Sequence, residues 1–108
     1  MRYMLLICAD ESVEVTPDES SAEAWVEEME RRRVRRDGSR LRPVSDATTV
    51  RLRDGEVVLS DGPFAETKEQ IAGFDLIDCE DLDEAIEVAS KHPVARYGTI
   101  EVRPFWPA

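Results

Sequence analysis

The sequence has one histidine, two cysteines and no surplus of positive charge, and each shortage closes off a class of function. With His92 alone and no HxxxH, HxH or CxxC spacing, one chain has no obvious metal site to offer. Fourteen basic residues against 24 acidic ones leave a net charge of −10, the wrong sign for a phosphate backbone or an anionic membrane surface. No apolar run approaches the ~20 residues that cross a bilayer. The leading MRYMLLICADESVE carries only the six-residue apolar run Tyr3–Cys8 before its acidic residues, too short for a secretory signal. A cytoplasmic protein with Cys8 and Cys79 as reduced thiols is therefore expected.

What is present is a soluble globular balance, 42% apolar and 35% charged, in a length that suits one domain over residues 1–108. A core this small leaves much surface exposed, so a second copy would help stability. Tyr3-Met4-Leu5-Leu6-Ile7-Cys8 is apolar on both alternating faces and reads as a strand covered on both sides. One cover can come from the chain's own helices; the other has to come from elsewhere.

Thr16-Pro17-Asp18-Glu19 reads as a helix start, with Thr16 as N-cap and Glu19 completing a capping box. Ala22, Trp25, Val26 and Met29 form its apolar stripe, and Asp37-Gly38 its stop, with Gly38 at the left-handed position. Ala47–Arg53 and Glu56–Ser60 flank Asp54-Gly55, a strong hairpin signal because a type I′ turn needs positive φ at both central positions. Residues 71–79 form a further strand. Asp81 opens a second helix striped by Leu82, Ala85, Ile86 and Ala89, which ends at His92-Pro93. Tyr97–Arg103 alternates as a last strand, with Ile100 and Val102 on one face. The order suggests an α+β, ferredoxin-like βαββαβ fold with an extra β-hairpin.

Asp61-Gly62-Pro63-Phe64-Ala65-Glu66-Thr67-Lys68-Glu69 resembles the DGPF group of YCII-related proteins. Tyr3–Ile7, Ile71-Ala72-Gly73-Phe74, Asp81–Glu87 and Gly98–Pro104 continue the resemblance over nearly the whole chain. The resemblance implies pairing as a dimeric α/β barrel, hence a homodimer, with a cleft inside or at the rim. It also implies relatives that isomerise, dehydrochlorinate or oxygenate small molecules largely without cofactors. Some genes of the group neighbour those of extracytoplasmic-function sigma factors, which implies a regulatory protein partner as the alternative. Some YCII-type relatives are proposed to use a His–Asp pair, and that pair does not carry over simply: no histidine precedes His92.

The candidate site residues are Asp61, Glu66, Lys68 and Asp75. On the functional reading, Asp61 and Glu66 with the Lys68 ammonium bind a polar substrate at the barrel rim. On the architectural reading, Asp61 caps a turn, Gly62 supplies an unusual φ and Pro63 stiffens it. Asp75 shares its strand face with Ile77 and Cys79, so it is a proton-transfer candidate if that face is enclosed and a hydrated carboxylate if it is not. His92 at a helix end reads as a cation placed for the dipole, or as a general base. Cys8 and Cys79 fall at opposite ends of antiparallel strands, too far apart for a disulfide. The seven arginines of residues 31–42 complement the helix end and its glutamates, or dock an acidic protein.

Overall fold

The most apolar stretch of the chain becomes its central strand. In the computed structural model, which describes residues 1–107, β1 (Arg2–Ala9) pairs antiparallel with both β5 (Gln70–Asp78) and β6 (Thr99–Pro104). Tyr3, Leu5 and Ile7 are buried, whereas Met4, Leu6 and Cys8 on the opposite face are half-buried. Within one chain, then, the expected two-sided cover exists on one side only.

That cover comes from helices α2 (Glu23–Arg31) and α3 (Leu82–Ser90), which bury Trp25, Met29, Ala85, Val88 and Ala89. The indole Nε1 of Trp25 donates to the carbonyl of Val88 at 2.9 Å and joins the two helices. The buried stripe of α3 differs from the expected one: Val88 is enclosed, while Leu82 and Ile86 are exposed. The first helix also differs. Its capping box forms as expected, Thr16 Oγ1 accepting from the Glu19 amide and Glu19 accepting from the Thr16 amide. But α1 (Pro17–Ser20) lasts one turn, because Ser21 is extended before α2 begins. Serine competes for backbone hydrogen bonds and sustains a helix poorly.

Asp37-Gly38 does not end α2. Arg33 takes the left-handed position instead, with φ of +60°. Its amide donates to Glu30 at 3.0 Å and the Val34 amide to Met29 at 2.9 Å, the paired bonds of a Schellman cap, with Val34 sealed into the core. The chain then re-enters the sheet as β2 (Arg35–Arg40), an edge strand with no large apolar residue, bulged between Arg35 and Asp37 and antiparallel to β5.

The four-stranded sheet runs β2-β5-β1-β6, the ferredoxin-like order with every pair antiparallel. Between β2 and β5 the chain inserts β3 (Thr48–Arg53) and β4 (Glu56–Asp61), a separate hairpin turning at Asp54 (φ +50°) and Gly55 (φ +78°) as expected. Cys8 lies opposite Ile71, while the Cys79 amide meets the carbonyl of Met1 at the other end of the sheet, so both thiols are free. Among the described residues no helix is long and apolar enough to cross a membrane.

Candidate functional site

Asp75 lies opposite Leu5 on the helix-facing side of the sheet and is 6% exposed. A carboxylate this buried needs a partner, and β2 provides one. Arg35 Nε donates to Asp75 Oδ1 at 2.8 Å, while Arg35 Nη1 reaches Glu30 Oε2 at 3.2 Å. Burial pushes Asp75 above the usual carboxylate range, more strongly than the Arg35 hydrogen bond and charge pull it down. Gly38 makes room for the pair: a Cβ there would come within 2.6 Å of Arg35 Nη2 and 2.7 Å of the Phe74 carbonyl. The Asp-Gly pair that reads as a helix stop is instead a notch in the edge strand.

Asp75 and Arg35 border a cleft of about 640 Å³ between the sheet and the α1–α2 segment. Ile7, Val13, Val15, Val26 and Val94 give it apolar walls, and Arg40, Tyr97 and His92 add polar groups. Its volume is in the range of small-molecule sites. The register shift between Ile7 and Cys8 puts a bulge beside the cleft; bulges of this kind re-aim side chains near binding sites.

His92 is 5% exposed and does not act as a cation for the helix dipole. Its Nδ1 accepts from the Val94 amide at 3.1 Å, and its ring meets Trp25 edge-on at 4.8 Å. Burial pushes its pKa down to about 4, so the ring is neutral at pH 7. With Nδ1 committed as an acceptor, the neutral ring carries its proton on Nε2.

The motif loop has a different setting. Glu66 and Lys68 line a shallow groove of about 290 Å³ with Asp10, Glu11, Pro63 and Gln70. Asp10 and Glu11 border the groove and the cleft alike, so the two adjoin. Asp10 is held below its ordinary range chiefly by its hydrogen bonds from Ser12, with Lys68 contributing. Asp61 ends β4, is exposed, and lines neither. The loop is braced by its own backbone: Gly62, at φ +92°, donates to Ala47 at 2.7 Å and accepts from Thr49 Oγ1 at 2.8 Å. Gln70 Nε2 donates to the carbonyls of Ala65 and Thr67, both at 3.0 Å.

The structure thus groups Asp75 with Arg35, Arg40, Tyr97 and His92, and sets Glu66 and Lys68 next door. Arg35 escapes sequence reasoning because β2 has no apolar alternation; an all-polar run after a three-residue break from a helix is itself an edge-strand signal. The arginine patch is mostly occupied. Arg32 reaches Glu87 at 2.7 Å, Glu28 at 3.5 Å and Glu84 at 3.9 Å, tying α2 to α3 and holding Glu87 at about 2. Among the described residues no cluster of three metal-ligating side chains occurs.

Two comparisons bear on these features. An uncharacterized protein of Rhizobium meliloti (strain 1021) is 45% identical, the match covering 81% of this chain and 84% of that protein. The family described as YCII-related domain matches residues 1–108, and the chain belongs to it.

Proposed function

We propose that the cleft between the sheet and the α1–α2 segment binds a small organic molecule, and that Asp75 exchanges a proton with it. The observation that carries this reading is a buried carboxylate, raised by its surroundings and aligned by Arg35, on the wall of an apolar cleft. A raised carboxylate is a stronger base once ionised, and Arg35 holds the ionised form in place. The neutral His92 and Tyr97 offer hydrogen bonds to a carbonyl or ring oxygen, without adding charge. Glu66 and Lys68 meet whatever part of the ligand extends over Asp10 and Glu11, with Lys68 stabilising developing negative charge. Asp61, at the end of β4 and lining neither space, takes no part in this reading.

The working unit in this reading is a homodimer. Met4, Leu6, Phe74 and Leu76 sit half-buried on the sheet face that carries no helix, and two copies that join these faces cover them. A non-catalytic ligand sensor acting with a regulatory protein is the second reading. It is favoured by the hold Arg35 already has on Asp75, which leaves the carboxylate less free to take a proton.

The test needs no knowledge of the natural reaction. Cyclic ketones, lactones and catechol-derived acids are incubated with the protein in D₂O, and NMR follows binding and deuterium uptake at activated C–H positions. Binding with deuterium uptake that disappears in Asp75→Asn is the expected result. Binding without uptake selects the sensor, and no binding by any compound overturns both.

A further inference from the structure

The hairpin β3–β4 is built as an arm. Val50 pairs with Leu59 and Leu52 with Val57, so all four share one face. They are 63 to 65% exposed, and the hairpin hydrogen-bonds as a sheet of its own. A lone two-stranded hairpin is marginal in water, and four aliphatic residues on one bare face are a cost that something must remove. Other parts of the same chain do not. The radius of gyration is 15.7 Å, against about 13 Å for a compact chain of this length. The Cα extents of 47 × 40 × 18 Å leave a thickness sufficient for one sheet and one helix layer, so the hairpin lies beside the body rather than beneath it.

We infer that this hairpin is an exchanged arm whose Val50, Leu52, Val57 and Leu59 face packs against a second copy of the chain. The inference rests on the homodimer proposed above and adds a second contact to its sheet faces. Two observations favour a second copy as the occupant. Charge is the first: the chain carries −10, but between Thr49 and Ser60 Arg51 and Arg53 balance Asp54 and Glu56, so the apolar stretch of the arm is neutral and only Asp61 at its base adds a negative charge. That stretch is where two like-charged copies approach with least repulsion. Area is the second. The four side chains expose on the order of 400 Å², about half of the ~800 Å² per partner of a stable interface, and the half-buried Met4, Leu6, Phe74 and Leu76 add part of the remainder.

The experiment is sedimentation equilibrium over a concentration series for the full chain and for Leu52→Glu/Leu59→Glu. Circular dichroism and the fluorescence of buried Trp25 report the fold. The double variant, folded, should dissociate about 100-fold more readily than the parent. An equally tight dimer in the folded variant overturns the arm while leaving the sheet-to-sheet homodimer standing. A parent that is monomeric throughout the series overturns both. If the variant does not fold, hydrogen exchange of the parent decides: protection of the hairpin amides that grows with dimer concentration supports the arm, and its absence refutes it.

Discussion

Replacing Arg35 with methionine keeps most of the apolar stem and removes the charge that holds Asp75. Removing one partner of a buried pair costs about 3–5 kcal/mol, because the other is left buried and unpaired. Here the side chains of Arg35 and Asp75 are 14% and 8% exposed, and the cleft brings water close to both, so we expect about 2–4 kcal/mol at pH 7. The lost contact with Glu30, itself well exposed, adds little. The penalty also has a pH signature. Asp75 is already raised in the native state, and losing Arg35 raises it further. A carboxyl raised on folding contributes stability below its unfolded value, near 4, and loses it as pH rises through the folded value. The Arg35→Met deficit should therefore be smallest near pH 4 and grow toward pH 7. Urea unfolding at fixed protein concentration measures it, as a midpoint lowered by roughly 1–2 M at pH 7. Asp75→Asn combined with Arg35→Met should recover much of the loss, since no charge is then stranded. A deficit independent of pH, or a double variant no better than the single one, would refute the buried-pair reasoning.

Three further outcomes follow from the same geometry. Gly38→Ala should cost about 1–3 kcal/mol in urea unfolding, because its methyl group meets the Asp75–Arg35 pair and the Phe74 carbonyl; a neutral result means the notch has slack. His92, held down to about 4, contributes stability above pH 6.5 that is lost as pH falls toward 4, up to about 3 kcal/mol. His92→Gln should flatten that slope relative to the parent, and equal slopes contradict a buried neutral ring. Arg33→Gly should raise the unfolding free energy by about 0.5–1 kcal/mol, since glycine accepts the left-handed φ of +60° without strain; a loss would show that the Arg33 side chain matters more than its backbone.

Local patterns announced much of the fold. Thr16-Pro17-Asp18-Glu19 and Asp54-Gly55 form the cap and turn that their residue types dictate, because each depends on contacts within a few residues. Asp37-Gly38 departs from its local signal for the same reason: the dipeptide alone spells a turn, whereas its use is set by Asp75, 37 residues beyond Gly38. Helix α2 stops earlier because sealing Val34 into the core outweighs the cost of a left-handed arginine. The candidate site was legible in the same uneven way. Alternation along residues 73–79 puts Asp75 on one face with Ile77 and Cys79 without saying that this face is enclosed, and a charged edge strand carries no periodicity that would reveal Arg35. His92 was legible as a helix-end residue and not as a buried one, because its burial comes from Trp25 across the fold.

Crystals of the protein soaked with the cyclic carbonyl compounds that bind in solution test the central claim most directly. The account predicts such a molecule between the apolar wall of Ile7 and Val94 and the Asp75–Arg35 pair, with one polar atom within hydrogen-bond distance of either side chain. A cleft filled by the protein's own side chains, or compounds held only outside it, would contradict the account.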